Sequence, residues 1–578
     1  MNGLRMRQLA LFAIVIVPVL SNGAAGAFAQ SPADEFSRRQ AQEERLQRLD
    51  ALGAQTPGAA SPTTPAPAIR AGSGGPCFVV ERVVVDGARI IPGEEIETVT
   101  ESYAGQCVGI AQIDDLLRKI THLYLDRGFI ASRAYVPEQD IAATRTLRLV
   151  VVEGSLSEIY LNGKPGPDSR LLKTAFPGVA GRPANIRDIE QGLDQINRLP
   201  SSKATTEMLP GPDEGNSILD VSIERSRPWH ASLGNNNLGQ KQTGTSKSAF
   251  SFRQDNLFEL NDLTSFTYEH TGPDYPGDSD GWGESDSYSG SFAIPYGYWT
   301  FTTSGSWYEY TSSVPGSFSD LETSGTSGQA GAVLERVVHR GKSSLTQLRG
   351  GLNYKATDNF LLGNRIEVGS RRYTVGSLGL SHSRRMLGGL WTFDVAADQG
   401  LDLFGAVEPG APGAGDADPA FTKFSATITA SLPFEIQGQQ FELSSLLNGQ
   451  YSPDNLFGAE QMSLGGYSNV RGTRESVLFG NNGFFSRNEI TWRMMPWRES
   501  RGASELLGEL RPYLGLDYGR TFGQARYGID GGGMLGWTVG ARLVGGRLNL
   551  DLGYSDARAD GHQKADAGLF FVSTSVRW

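Results

Sequence analysis

Strand-length segments with alternating apolar and polar residues run from Trp229 to Trp578, and this pattern restricts the fold more than any other feature. In the last segment one face consists of Phe570, Val572, Thr574, Val576 and Trp578, and the other of Phe571, Ser573, Ser575 and Arg577. Segments of about 10 residues with this period, separated by loops rich in Gly, Asp, Ser and Asn, are typical of a membrane β-barrel. A soluble β-sandwich also alternates, but it would place aromatic residues at strand ends less often. The sequence therefore predicts an all-β transmembrane barrel with lipid outside and water inside.

The length of this region predicts the number of strands. Residues 227–578 give 16 antiparallel strands at about 22 residues per strand, with short and long connections alternating. If Trp229 begins an ascending strand, residues 453–482 form the sixth outer loop and the chain ends at the periplasmic rim. One connection, after Met495, is long for a periplasmic turn.

The apolar residues of the last strand are expected to form the barrel signal. These residues are Phe570, Val576 and Trp578. We expect periplasmic chaperones and the barrel-assembly machinery to be partners during biogenesis, and outer-membrane lipid to surround the finished barrel.

Residues 1–29 are predicted to be a secretory signal peptide. Arg5 and Arg7 precede an apolar run at residues 9–20, and an A-x-A cleavage sequence follows at residues 27–29. The apolar run is too short to cross a bilayer as a helix, which needs about 20 residues. We therefore expect an exported chain without a transmembrane helix, located in the outer membrane of a Gram-negative bacterium.

The net charge of −11 argues against nucleic acid as a partner, because nucleic-acid-binding proteins carry a basic surface.

The segment between the signal peptide and the barrel divides into four parts. Residues 30–52 are charged and rich in helix formers, which predicts a short amphipathic helix, and residues 53–75 have the composition of a flexible linker. Residues 76–154 and 155–226 each predict a small α+β domain. The first opens with the strand CFVVERVVVDG, and its helix carries Ile113, Leu116, Leu117, Ile120 and Leu123 on one face.

The chain has two cysteines, Cys77 and Cys107, and both fall in the first small domain. In an oxidising compartment such a pair is expected to form a disulfide. The alternative is two buried free thiols.

Several motifs carry a resemblance to a known family. In the small domains these are DRGFIASRAYVPEQDI, LRLVVVEG and INRLPSSKATTEMLPG, and in the barrel SLGNNNLGQKQTG, DNLFELNDL, GGYSNVRG and GLDYG. With these motifs the chain resembles the outer-membrane transporters of two-partner secretion (the TpsB family), of the haemolysin-activator and filamentous-haemagglutinin-transporter type. These transporters belong to the wider superfamily of POTRA-domain barrels.

The resemblance implies both an architecture and a function. It implies a helix that plugs the barrel lumen, two periplasmic POTRA domains and a 16-stranded barrel. It also implies export of a large unfolded partner protein, such as an adhesin or a haemolysin, across the outer membrane. No P-loop sequence occurs, so the transport is expected to run without nucleotide, and no cofactor is expected.

The same resemblance assigns roles within the sixth loop. The motif GGYSNVRG is expected to fold into the lumen, where Arg471 contacts Asp517 on a barrel strand. In RPYLGLDYG, Leu514 and Leu516 share one face and Asp517 lies on the other, so leucines facing lipid direct Asp517 inward. We expect Val470, Gly472 and Gly515 to complete this lock: Gly472 lets the backbone approach closely, and Gly515 removes a side chain where the loop lies.

Other functions are disfavoured by the sequence. The sequence G-x-S-x-G at residues 277–281 lies in an acidic loop rather than at a strand-to-helix turn, and G-x-G-x-x-G at residues 531–536 is not followed by a helix. The six histidines show no metal-ligand spacing, so we predict neither an enzyme nor a metal site. The main alternative is a POTRA-barrel assembly factor that inserts outer-membrane proteins, although such factors usually carry more POTRA domains. A passive porin would not need the two small domains.

Overall fold

The computed structural model of the chain describes residues 31–57, 77–166, 169–272, 283–314, 319–560 and 568–578. The predicted signal peptide, most of the predicted linker and the G-x-S-x-G sequence lie outside these ranges. Within the described residues, no helix combines the length and apolar character needed to cross a membrane.

The first helix, α1, spans Pro32–Gln55 and is three residues longer at its C-terminus than predicted. Ser31 caps its N-terminus, because the Ser31 side chain accepts a hydrogen bond from the Asp34 amide at 3.2 Å. Pro32 occupies the first helical turn, where the missing amide hydrogen is not needed. The helix therefore includes residues 53–55, whose composition predicted the start of the linker.

The first α+β domain has more elements than predicted. These are β1 (Phe78–Val80), β2 (Arg82–Asp86), α2 (Gly93–Thr100), β3 (Gln106–Val108), α3 (Ile110–Asp126), β4 (Arg133–Tyr135), α4 (Ile141–Thr144) and β5 (Thr146–Val152). The prediction of one strand over CFVVERVVVDG is wrong, because the chain bends at Glu81. As a result, β1 pairs with β3, while β2 pairs with β5 in a separate sheet of order β2-β5-β4. Leu116, Ile120 and Tyr124 of α3 are buried against these sheets.

The predicted disulfide between Cys77 and Cys107 is present. Cys77 directly precedes β1, and Cys107 lies in β3. The disulfide therefore connects the two strands that form the small second sheet of this domain. A two-stranded sheet is marginally stable by itself, so the covalent link adds a restraint to the packing of Val80 and Val108 in the core of the domain.

The second α+β domain contains one four-stranded sheet of order β7-β6-β9-β8. Its elements are β6 (Ser155–Leu161), β7 (Lys164–Pro165), α5 (Arg170–Ala175), α6 (Ile186–Asn197), β8 (Ser202–Pro210) and β9 (Asn216–Arg225). The start of α6 packs against the end of α3: the Asn185 side chain donates to Arg127 O at 3.2 Å, and the Ile186 amide to Gly128 O at 2.8 Å. The two small domains are therefore joined by direct hydrogen bonds.

Sixteen antiparallel strands form a closed barrel, as predicted. In chain order the sixteen barrel strands are β10 (Trp229–Asn236), β11 (Lys247–Asp255), β12 (Leu263–Thr271), β13 (Glu284–Tyr296), β14 (Trp299–Val314), β15 (Leu321–Arg340), β16 (Ser344–Leu361), β17 (Asn364–Met386), β18 (Gly389–Leu401), β19 (Thr422–Ile436), β20 (Gln439–Tyr451), β23 (Gly483–Arg493), β24 (Gly508–Thr521), β25 (Gly532–Gly545), β26 (Leu548–Ala559) and β27 (Leu569–Arg577). The connection between β20 and β23 contains two further strands, β21 (Met462–Gly465) and β22 (Ser476–Gly480). Strands β21 and β22 pair only with each other, and β10 pairs with β27 to close the barrel. In a closed barrel each strand forms backbone hydrogen bonds with a neighbour on both sides. Backbone groups in a bilayer need such partners, because the lipid core offers no water.

The second α+β domain is attached to the short turns at one end of the barrel. Arg340, at the end of β15, is buried and donates to Gln191 at 3.0 Å and to Asp194 at 2.5 Å on α6. Gln191 and Gln195 also donate to Gly297 O, in the short turn between β13 and β14, at 3.1 and 2.9 Å. Burial raises the pKa of Asp194, and the Arg340 guanidinium opposes that shift. This end of the barrel is therefore the side that faces the small domains.

The connection after Met495 contains a short helix, α7 (Arg501–Leu507). This is the connection that is long for a periplasmic turn in the sequence. The extra length is used for the helix, which the indole of Trp497 links to β24 by donating to Gly508 O at 2.6 Å.

Removing the disulfide is expected to destabilise the first α+β domain without affecting the barrel. The bond closes a 30-residue separation, for which the chain-entropy model gives about 3–4 kcal/mol. The double variant Cys77→Ser/Cys107→Ser should therefore show faster hydrogen exchange in β1, β3 and α3 of the full-length protein. The barrel strands serve as the internal control, and equal protection of β1 and β3 with and without the disulfide would contradict the prediction.

Candidate functional site in the barrel lumen

The connection between β20 and β23, residues 452–482, is the sixth outer loop and folds back into the barrel. We refer to it as loop six. Its hairpin of β21 and β22 places Leu464 and Val470 in a buried apolar cluster with Phe485, Met534 and Ala557 of the barrel wall. Loop six is thus packed against the inside of the wall at β23, β25 and β26.

The tip of loop six presents Arg471 to Asp517 on β24, as the sequence motif predicts. Arg471 Nε donates to Asp517 Oδ2 at 2.6 Å, and Arg471 Nη2 to Asp517 Oδ1 at 2.8 Å. The Arg471 amide adds a third bond to Asp517 Oδ2 at 3.1 Å. Both side chains are nearly inaccessible, at 1% and 0% exposure. A bidentate, charge-assisted pair of this kind fixes position and orientation together.

Missing side chains on the wall make room for this arginine. A Cβ atom at Gly515 would overlap the guanidinium of Arg471, and one at Gly536 would overlap the carbonyl oxygen of Arg471. Gly472 has φ +131 and lies against the backbone of Asp556 and Ala557 on β26. The wall therefore has a seat shaped for the loop backbone as well as for its charge.

The Arg471 contact extends into a larger charged network on the wall. Arg471 Nη1 also donates to Glu489 Oε2 on β23 at 2.6 Å. Glu489 is shared with Arg542 on β25, which donates to Asp551 on β26 at 2.9 Å. Asp551 accepts a further hydrogen bond at 2.6 Å from Tyr467, a residue of the loop-six motif. Loop six is therefore held to the network at two points.

Sequence reasoning missed Glu489, Arg542, Asp551 and Tyr467 as members of the site. The alternation in β23 indicated that Glu489 faces the lumen, because Ile490 and Trp492 occupy the other face. It did not indicate which residues of neighbouring strands lie beside it, because the register between strands is not encoded in one strand's pattern.

Helix α1 lies inside the barrel and contacts the wall over several strands. Asp34 forms a buried ion pair with Arg371 of β17. The ring of Phe36 stacks on Tyr308 of β14 with centroids 4.5 Å apart. Ser37 Oγ lies 3.3 Å from Ser327 Oγ of β15.

Helix α1 also contacts loop six directly. Arg38 donates to Gly458 O and lies over the ring of Phe479, 4.8 Å from its centroid. Gln42 donates to Ser468 O at 2.7 Å. Ser476 Oγ donates to Glu35 at 3.2 Å. The two segments in the lumen therefore hold each other as well as the wall.

The buried residues of α1 do not form the apolar face expected of an amphipathic helix. They include Asp34, Ser37 and Arg38 together with Leu49 and Leu52. The physical reason is the surroundings, because the inner face of a barrel of this size is polar. A helix in this lumen is matched by polar and charged partners.

The outer face of the barrel carries the residues predicted to meet lipid. Leu514 and Leu516 of β24 are both more than half exposed, while Asp517, the next residue in the strand, is buried. Phe570, Val576 and Trp578 of the last segment also have large exposed fractions.

Comparison with known proteins agrees with this architecture. Residues 215–543 match the family described as "Haemolysin secretion/activation protein ShlB/FhaC/HecB". The chain belongs to this family. Residues 78–154 match the POTRA domain of ShlB type, and residues 155–210 match a further POTRA domain. This assignment sets aside the alternative of a barrel-assembly factor.

Named relatives support the same assignment. The outer membrane transporter CdiB of Escherichia coli O6:K15:H31 (strain 536 / UPEC) is 32% identical over 92% of this chain and 89% of its own length. The hemolysin transporter protein ShlB of Serratia marcescens is 29% identical over 77% of this chain and 76% of its own length. The structure of CdiB from Escherichia coli superposes with a TM-score of 0.84 at 29% identity and covers 95% of this chain and 99% of the other. The chain is therefore a two-partner secretion transporter of the outer membrane, with its POTRA domains in the periplasm.

Replacing Arg471 by alanine is expected to release loop six from its seat. Breaking a buried ion pair by removing one partner costs about 3–5 kcal/mol, because Asp517 would remain buried without a counter-charge. Hydrogen exchange followed by mass spectrometry should show faster exchange of residues 463–480 in the variant than in wild type. The barrel strands serve as the internal reference.

Two further variants make this test specific. Arg471→Lys keeps the charge but loses the two-pronged geometry, so its loop six should exchange at an intermediate rate. Arg501→Ala removes an arginine that is 94% exposed on α7 and should leave loop six unchanged. Unaltered exchange of loop six in Arg471→Ala would show that the ion pair does not hold it.

Proposed function

We propose that the transporter captures an unfolded partner protein through its POTRA domains and passes it through the barrel lumen once α1 and loop six have moved. The observation that carries this proposal is that a closed barrel has its lumen occupied by α1 and loop six, whose contacts with the wall and with each other, among the described residues, include many hydrogen bonds and ion pairs. A barrel of 16 strands has an aqueous interior when nothing fills it. The partner would be one large secreted protein, such as an adhesin or a haemolysin.

The chemistry of the α1 contacts supports its release. Gln42, Glu35 and Ser37 hold the helix by hydrogen bonds. Such groups exchange protein partners for water when the helix leaves, so a neutral contact contributes only about 0.5–1.5 kcal/mol net and the contact to the Glu35 carboxylate about 1.5–3 kcal/mol. An apolar plug of equal area would bind the wall more strongly and would expose apolar surface on leaving.

The two POTRA sheets have edges to which an extended segment could add. Strands β2 and β4 are the edges of the main sheet in the first domain, and β7 and β8 are the edges in the second. Strand addition uses backbone hydrogen bonds and tolerates varied sequence, which suits an unfolded partner. Folding of the partner outside the cell, rather than nucleotide hydrolysis, would then make export directional.

Loop six is proposed to act as a lock on the lumen. Arg471 and Asp517 would hold it in its working position, with Val470 packed on the wall and Gly472 and Gly515 allowing the close approach.

The exposed residues Phe570, Val576 and Trp578 are proposed as the signal recognised by the barrel-assembly machinery, after delivery by periplasmic chaperones, and as part of the lipid-facing surface.

The division of the chain that accompanies this function is also a proposal. It comprises a signal peptide at residues 1–29, POTRA domains at 76–154 and 155–226, and the barrel at 227–578. The plug helix, with the bounds of α1, would be joined to the first POTRA domain by the remainder of the linker.

Secretion is the direct test. The transporter would be expressed with the large exported protein encoded beside it, and the medium assayed for that protein. Wild type should release it, whereas Arg471→Ala and a form lacking residues 76–226 should release much less. Arg501→Ala is the matched control for an arginine substitution, and the heat-dependent gel mobility of folded barrels verifies insertion. Secretion by the form lacking both POTRA domains would refute capture by these domains.

A second prediction concerns the helix in the lumen. Asp34→Asn should weaken the ion pair with Arg371, so in planar bilayers the variant should spend more time in a high-conductance state than wild type. We expect an increase of about tenfold, as for loss of one charge-assisted hydrogen bond. Asp50→Asn, at an exposed position on the same helix, is the control. Equal conductance of the Asp34 variant and wild type would mean that this ion pair does not retain the helix.

A further inference from the structure

A second cluster of charged side chains anchors the base of loop six. Glu460 is buried at 5% exposure, and both of its carboxylate oxygens have charged donors. Lys355 Nζ lies 2.5 Å from Oε1, and Lys423 Nζ lies 2.5 Å from Oε2. The hydroxyl of Tyr373 adds a bond to Oε1 at 3.0 Å. These partners come from three different strands of the wall, β16, β19 and β17.

This anchor is separate from the contact at the tip of loop six. Arg471 binds β23 and β24, whereas Glu460 binds β16, β17 and β19. Burying charged groups carries a desolvation cost, and well-packed apolar residues often stabilise a protein as much as a buried ion pair does. Stability alone is therefore a weak reason for placing these charges here, where Asp398 of β18 also lies 3.3 Å from Lys423 Nζ.

The short turn that contains Glu460 supports α1. Gly458 O, two residues before it in the chain, accepts the hydrogen bond from Arg38 of α1. The ring of Phe457 lies under the guanidinium of Arg371, whose carbon is 5.2 Å from the ring centroid. Arg371 is the residue that pairs with Asp34 of α1. Displacement of this turn would therefore remove one acceptor of α1 and the support of its buried ion pair.

We propose that Glu460 is a positioning residue that couples loop six to α1, so that movement of the loop base loosens the helix in the lumen. This proposal rests on the proposed release of α1 during transport. Loop six has two anchors with different tasks: the Arg471 contact holds its tip to the wall, and the Glu460 contact transmits the position of its base to the helix.

The first test is Glu460→Gln in the full-length protein reconstituted in planar bilayers. The amide keeps the shape of the side chain but removes the charge that both lysines bind. We expect the fraction of time in the high-conductance state to rise about tenfold, the size expected when charge-assisted hydrogen bonds become neutral ones. Glu408→Gln, an exposed position in the fifth outer loop, is the matched control and should behave as wild type.

A tether separates coupling from a general loosening of the barrel. Ser37 of α1 and Ser327 of β15 have side-chain oxygens 3.3 Å apart, so S37C/S327C can form a disulfide that keeps α1 in the lumen. If Glu460 acts through α1, the added conductance of Glu460→Gln should vanish when this disulfide is formed and return when it is reduced. Wild type under the same reducing conditions controls for the native Cys77–Cys107 bond. Conductance that stays high with the tether closed would overturn the proposal, as would an unchanged conductance of folded Glu460→Gln.

Arg38→Met tests the same link from the helix side if Glu460→Gln does not fold. Methionine keeps most of the apolar stem but cannot donate to Gly458 O, so conductance should rise as in the Glu460 variant. If both variants fold, the effect of Glu460→Gln should shrink in the Arg38→Met background. Additive effects of the two substitutions, or no effect of Arg38→Met, would overturn the coupling.

Secretion by the tethered protein distinguishes this proposal from the proposed function. If secretion continues with the S37C/S327C disulfide closed, release of α1 is not required for transport, and the proposed route through the lumen is wrong. If the tether stops secretion but folded Glu460→Gln leaves conductance unchanged, the route stands and only the role of Glu460 is rejected.

Discussion

The structure depends on one constraint, which is that a strand in lipid must have all its backbone groups paired within the protein. Closure between β10 and β27 meets this constraint and leaves no free strand edge in the membrane. Closure also fixes the chemistry of both faces, because side chains alternate between lipid and lumen along every strand. The leucines beside Asp517 show the result, with exposed apolar side chains on one face and a buried carboxylate on the other.

A polar lumen determines what can occupy it. Helix α1 would be an unusual element in a water-soluble core, because its buried residues include an aspartate and an arginine. In this lumen those groups find Arg371 and Gly458 O as partners. Contacts of this kind define position, but the cost of desolvating the charged groups offsets much of their attraction. The same polarity that lets the lumen conduct an extended chain therefore makes its occupants removable.

The sequence was most informative where a pattern is local or a motif is shared. Alternation and length predicted 16 strands, and the motif around Arg471 predicted its contact with Asp517. The network of Glu489, Arg542 and Asp551 escaped prediction, because it depends on the register among four consecutive strands, β23 to β26, rather than on any one of them. The same limit explains the error at Glu81, where one apolar stretch is shared between two sheets, and the choice between them is made by distant partners.

The glycines of the wall show why charge alone does not specify a site of this kind. A carboxylate at Asp517 attracts any arginine within reach, but the loop backbone can approach only where side chains are absent. Gly515 gives room to the guanidinium and Gly536 to the carbonyl oxygen of the same residue, and the two lie on neighbouring strands. Asp517 is paired directly with Gly536, so the register that aligns β24 with β25 also aligns the charge with the space beside it. The position of loop six is therefore set by the barrel's hydrogen-bond register, and the ion pair stabilises a position that the backbone has already defined.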